Sequence, residues 1–263
     1  MEKERTGLFI SNDELSEYVY KKLKGKGIKV YPISFAPCHF AVSQTFQPGD
    51  VTGILGYLKK EKIKKLVFIG RIPPEIIFKE MHSSSDIFLK GDKPLYGERI
   101  LTDLVSFLKK EDIDVEPLTD ILCDELAEEK LYTDIPLRQG EEEDIETGVR
   151  FLTDIIKYRA GQSVAVKSGV IIAVEGVEGT DEMIRRAGMY CNEFVVVKIA
   201  GRYKDERFDI PVIGPHTIEV LRDAEARVIA VESSRSIIFD RLKTVALCNK
   251  NRITLIGIKG EGR

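Results

Sequence analysis

The sequence predicts an α/β protein built from two α/β domains, the N-terminal one Rossmann-like. Three observations predict it. Short apolar runs of strand type alternate with helical patterns along the whole chain. The 263 residues suffice for two medium domains, and both halves carry enough apolar residues for a core. A stretch at 131–143 with Pro136, Gly140 and Glu141-Glu142-Glu143 has the composition of a linker, which puts the boundary near residue 138 and the domains at 1–138 and 139–263.

The elements follow in order. Gly7–Ile10 is a short buried strand, and Ser11-Asn12-Asp13-Glu14 supplies N-cap chemistry for an amphipathic helix from Leu15 to Lys24, stopped by Gly25-Lys26-Gly27. Ile28–Phe35 is a second strand, Val51–Lys62 a helix and Lys65–Gly70 a third strand, the alternation of a parallel sheet. Pro73–Lys93 mixes Pro, Ser and Gly and reads as loop and short helices, able to act as a lid. A helix at Glu98–Lys110, a strand at Ile113–Val115 and a helix at Leu118–Glu128 complete the first half.

The second half opens with a helix at Asp144–Arg159. Two strand-like runs, 163–166 and 170–174, flank Lys167-Ser168-Gly169 as a β-hairpin. Thr180 is placed to N-cap a helix at Asp181–Met189. The apolar run 193–200 is a buried strand; a helix from His216 through Ala224, a strand at Arg227–Glu232, a helix at Arg241–Asn249 and a strand at Ile253–Ile258 finish the domain.

Composition excludes several functions. A net charge of -3 from 40 basic and 43 acidic residues lacks the basic footprint of a nucleic-acid binder. Cys38, Cys123, Cys191 and Cys248 are scattered, so neither a zinc site nor a disulfide framework is signalled. His39, His82 and His216 form no i, i+4 pair. The loop after the first strand lacks G-x-G-x-x-G, which disfavours a nicotinamide site. No segment approaches the roughly 18 apolar residues of a membrane span, and a cytoplasmic protein is expected.

Two stretches carry chemistry. In Asp205-Glu206-Arg207-Phe208-Asp209, an extended backbone puts Asp205, Arg207 and Asp209 on one face, where they either hold a divalent cation beside a phosphate or form a solvated strand edge. In Glu175–Glu182, glycines and acidic residues precede a helix N-terminus. This is either an ordinary capped start or a cation-assisted phosphate site of Glu178, Thr180 and Asp181. Arg71, after the third strand, is placed to offer a cation to phosphate or to lie on the surface.

The runs IIAVEGVEGTDEMIRRAG (171–188), VVVKIAGRYKDERFDIPVIGPHTIEVL (195–221) and RVIAVESSRSIIFDR (227–241) resemble the UDP-2,3-diacylglucosamine pyrophosphatase family of lipid A synthesis, of the two-domain type unrelated to calcineurin-like enzymes. The resemblance implies a magnesium-dependent hydrolase that releases UMP and 2,3-diacylglucosamine 1-phosphate. It also implies an acylated sugar-nucleotide substrate held between the domains, a homodimer and peripheral contact with the inner membrane. The family's R-F-D-x-P motif, here Arg207 to Pro211, makes Asp209 the catalytic residue. E-G-T-D, here Glu178-Gly179-Thr180-Asp181, supplies phosphate or metal contacts: Gly179 and Thr180 toward phosphate, Asp181 and Glu178 toward magnesium with Asp209 and Asp205. Lys198, Arg207 and Arg71 would offset phosphate charge. Two departures stand out. Ser11-Asn12-Asp13 replaces a glycine-rich loop, and Gly201-Arg202-Tyr203-Lys204 replaces a K-P-x-Q run before Asp205. A divergent, non-catalytic sugar-nucleotide or lipid binder is the alternative.

Overall fold

The computed structural model describes residues 5–47, 50–69, 97–158, 160–200, 207 and 210–260. The chain divides into two units, the first holding the residues up to Ile121 and the second beginning at Leu122.

In the first unit, strands β1 (Arg5–Phe9), β2 (Lys29–Ser34), β3 (Gln44–Thr45), β4 (Lys65–Phe68) and β5 (Asp114–Val115) form a sheet in the order β3-β2-β1-β4-β5, with every pair parallel. This is the Rossmann-like arrangement expected, with the two-residue β3 added at its edge. Helices α1 (Glu14–Gly25), α2 (Val51–Lys60) and α3 (Gly97–Lys110) provide the crossovers. Asp13 caps α1 by accepting from the Ser16 amide, and Asp50 caps α2 by accepting from Gly53. Ile33, Leu58, Ile63, Leu66, Leu108 and Ile113 make a continuous core. Burying a Leu such as Leu58, fully enclosed, contributes about 1.5–3 kcal/mol.

The helix expected over Leu118–Glu128 is shorter. A single turn, α4 (Leu118–Ile121), passes into a 3-10 turn at Cys123–Glu125. From there the backbone commits to the second unit: the Ala127 amide donates to Ser236 O, Tyr132 to Leu255 O and Gly257 to Lys130 O. Arg227 donates to Pro136 O at 3.0 Å, and Thr254 donates to Ile135 O at 3.0 Å. Residues 122–138 thus pack on the second unit, including the first part of the linker-like stretch at 131–143, and the division lies ahead of residue 138.

The second unit's sheet runs β12-β10-β8-β6-β7. Its strands are β6 (Ser163–Lys167), β7 (Val170–Val174), β8 (Val195–Lys198), β10 (Val228–Glu232) and β12 (Thr254–Ile258). β8, β10 and β12 are parallel, whereas β6 is antiparallel to both β7 and β8. The predicted hairpin is present, and the buried Asp144 carboxylate holds its turn by accepting from the Ser168 and Gly169 amides at 2.9 and 2.6 Å. Asp144 belongs to α5 (Glu141–Ile155), which starts earlier than expected, with Gly140 at φ 85 before it. A small parallel pair, β9 (Val212–Ile213) with β11 (Ile237–Ile238), lies outside this sheet.

The two-residue period of β8 sorts its neighbours. Val195 and Val197 enter the core under α5, while Phe194 and Val196 enter the core shared with Met183, Ile184, Ile218 and Leu221. Those last four belong to α6 (Thr180–Gly188) and α7 (Pro215–Asp223); α8 (Arg241–Lys250) adds Cys248. By the same alternation Lys198 turns toward the α6 side. Among the described residues no helix is long and apolar enough to cross a membrane.

Candidate active site

One edge of the second sheet gathers the polar chemistry. β8 ends at Lys198 and β10 at Glu232; Glu175 follows β7; and β6, running the other way, begins there with Ser163. Ser163 and Lys198 face each other across the antiparallel pair. The carboxyl edge of a sheet is where α/β proteins hold ligands.

Lys198 ends an apolar strand and is only 5% exposed, so its ammonium must find acceptors. Its Nζ donates to Thr180 Oγ1 at 2.6 Å and to Ser163 Oγ at 3.2 Å. Thr180 in turn donates to Glu175 Oε1 at 3.1 Å, and the Gln162 amide donates to Glu175 Oε2 at 2.9 Å. Two hydroxyls therefore bridge a cation and a carboxylate. Burial pushes the Glu175 carboxyl up, but the Lys198 charge, the Ser163 and Thr180 hydroxyls and the Gln162 amide together outweigh it, and the group is held below the usual glutamate range.

Thr180 was expected to cap the helix; Gly179 does so instead, at φ 91, a backbone angle open to glycine. Thr180 becomes the first helical residue, and its hydroxyl is freed from capping to bind Lys198 and Glu175. Met183 is the first amide to bond back into α6, to Gly179 O at 3.1 Å, so the amides of residues 180–182 precede the helical ladder. Arg186, in the last turn of α6, donates to Val174 O at 2.8 Å and Glu178 Oε1 at 2.6 Å, which pins both flanks of the 175–179 loop. On the other side of Glu175, a Cβ on Gly161 would lie within 2.3 Å of the Glu175 side chain.

Two more groups border the edge. His216, in the first turn of α7, sits 3.5 Å from Asp181 Oδ2 and 3.9 Å from Glu219. Glu232 accepts from the Ala200 amide at 2.7 Å, and burial raises its carboxyl above the usual range against the opposing pull of that amide and of Arg235.

Of the residues predicted from sequence, Thr180, Gly179 and Lys198 come together. Glu178 is turned to Arg186 and Asp181 to His216. Arg207 lies in a turn and is half-buried. Asp209, Asp205 and Arg71 lie outside the described residues, as does 73–93. Among the described residues, no three His, Cys, Asp or Glu side chains gather as a metal-ligand group. Glu175, Ser163, Gln162 and Glu232 were not anticipated. The available signal was position: each is the polar residue bordering an apolar strand run.

The LpxI N-terminal domain matches residues 12–125 and the LpxI C-terminal domain residues 128–256, in that order. The chain belongs to the LpxI family. Among curated LpxI proteins, the UDP-2,3-diacylglucosamine pyrophosphatase LpxI of Caulobacter vibrioides (strain ATCC 19089 / CIP 103742 / CB 15) is 27% identical over 129 residues, 46% of this chain and 46% of that protein. The chain thus aligns with a little under half the length of that relative. The two LpxI domains meet between residues 125 and 128, close to the division of the fold, and the Lys198–Thr180–Glu175 group falls within the C-terminal one.

Proposed function

We propose that this protein is a pyrophosphatase of the LpxI type, hydrolysing UDP-2,3-diacylglucosamine to UMP and 2,3-diacylglucosamine 1-phosphate. The observation that carries the reading is the buried Lys198 ammonium, tied to the first helical residue of α6 inside the stretch that the LpxI C-terminal domain matches. A pyrophosphate concentrates negative charge as its bridging bond breaks. An enclosed ammonium beside the N-terminal amides of a helix offsets that charge without reorganising.

Asp209 of the R-F-D-x-P motif is the catalytic carboxylate in this proposal, with Arg207 and Arg71 supplying further positive charge. Magnesium, held by Asp209 with Asp205 and Asp181, would neutralise phosphate charge and lower the pKa of a bound water. The described carboxylates do not form that ligand set unaided, because Glu178 is paired with Arg186 and Asp181 faces His216. The requirement therefore rests on Asp209 and Asp205. The homodimer and the peripheral contact with the inner membrane belong to the same proposal.

Incubation with UDP-2,3-diacylglucosamine tests it. The reading expects UMP in amounts that rise with time and vanish on chelation of magnesium. Saturable substrate binding without UMP would instead identify a non-catalytic binder, the reading favoured by the altered run at Gly201–Lys204.

A further inference from the structure

We infer that Glu175 is a positioning residue of the LpxI-type site, acting through the Ser163 and Thr180 hydroxyls to hold the Lys198 ammonium at the start of α6 and aim it at a phosphoryl oxygen. The inference rests on the pyrophosphatase reading for its substrate and on the geometry for its parts.

An ammonium has three donors, and the described hydroxyls of Thr180 and Ser163 take two of them at 2.6 and 3.2 Å. Each hydroxyl has one proton. Thr180 sends its proton to Glu175 Oε1, which leaves its lone pairs to receive Lys198. The carboxylate thereby fixes the direction of the hydroxyls, and the hydroxyls fix Nζ. Ser163 and Thr180 already lie within hydrogen-bond range of each other at 3.3 Å, so without the carboxylate to take its proton Thr180 would be free to turn that proton to Ser163, and the cation would lose its orientation.

The backbone defends this arrangement. Glu175 N donates to Ser163 O at 3.0 Å and Gly161 N to Glu175 O at 2.9 Å, so the carboxylate is braced from the strand pair itself. The Gln162 amide occupies its second oxygen. A side chain that merely filled space would accept neither the Gln162 amide nor the Thr180 hydroxyl. A group whose task is to keep one cation in register at a strand end needs both.

The test uses the full chain as wild type, Glu175→Gln, Lys198→Met and the double variant. Each is assayed for magnesium-dependent UMP release from UDP-2,3-diacylglucosamine and, separately, for binding of inorganic pyrophosphate by calorimetry. Glu175→Gln is expected to lower kcat by about 10- to 100-fold while KM stays within roughly twofold, since nucleotide and acyl chains carry ground-state binding. Adding it to Lys198→Met should cause no further loss, because its effect passes through the ammonium. Pyrophosphate affinity should fall in Glu175→Gln and not fall further in the double variant. Should Lys198→Met fail to fold, Thr180→Val replaces it, with Thr180→Ser expected to recover the loss. Wild-type kcat and pyrophosphate affinity in Glu175→Gln, or losses that multiply in the double variant, overturn the inference. If the wild type releases no UMP, the functional reading fails, and the pyrophosphate arm still decides the role of Glu175. A wild type that neither turns over nor binds pyrophosphate overturns both.

Discussion

Removing the Lys198 ammonium leaves the half-buried Glu175 carboxylate beside two hydroxyls without the cation it faces among the described residues. Lys198 and Glu175 are joined through hydroxyls, so taking the cation away leaves a poorly compensated carboxylate at a cost of about 1–3 kcal/mol, and Lys198→Met should lose that much in urea unfolding at pH 7. The pH dependence has a definite sign. Because the folded state holds Glu175 below its ordinary value, its contribution is complete above that value and is lost as pH falls through the depressed one. Glu232 acts oppositely. Its carboxyl is raised by burial, so stability falls as pH rises through its folded value, and the cost persists at neutral pH. In urea titrations from pH 3 to 8, Glu175→Gln should therefore show a shallower acid decline than wild type. Glu232→Gln, still able to accept from Ala200, should be more stable than wild type at pH 8 and converge with it in acid. Thr180 and Gly179 stood out in the sequence as members of E-G-T-D, and Lys198 as a cation able to offset phosphate charge. Glu175 and Ser163 were not, because their role depends on β6 running antiparallel to β8, and no local pattern encodes strand order.

At the level of elements, the loop between β7 and α6 owes its form to Gly179. The N-cap backbone angle of φ 91 excludes a side chain without strain, so Gly179→Ala should cost about 1–3 kcal/mol and displace Thr180 from Lys198. Thermal unfolding and UMP release would both register the change. Sequence patterning located α6 within a residue or so yet assigned the cap to Thr180, since a Thr before an acidic turn is the ordinary capping signal. The third member of the loop's environment, Arg186, holds Val174 O and Glu178 together from the far end of the helix. Elsewhere, the alternation of strand and helix was readable because the helices bury one apolar stripe while the central strands, buried on both faces, read as continuous apolar runs. The brief strands β3, β9 and β11 were not, for two residues set up no period, and unlike the equally short β5 none of them follows directly on a predicted helix.

For the molecule as a whole, the bonds from Ala127 to Ser236 and from Tyr132 and Lys130 to β12 assign residues 122–138 to the C-terminal unit. Composition misled there: Pro136 and the glutamate run resemble a linker, but Arg227 and Thr254 bind the Pro136 and Ile135 carbonyls. A fragment beginning at Leu122 should unfold cooperatively on heating, whereas one beginning at residue 139, stripped of those bonds, should not. The two-domain α/β architecture and the family were both legible in the sequence, the latter in the motifs around Glu178 and Arg207. The central claim is that these motifs still hydrolyse a pyrophosphate. Its most direct measurement is magnesium-dependent UMP release from UDP-2,3-diacylglucosamine by the wild type and Asp209→Ala side by side, with substrate binding followed in parallel. The account predicts steady UMP release by the wild type and none by the variant, at unchanged substrate affinity; turnover by Asp209→Ala near the wild-type rate would contradict it.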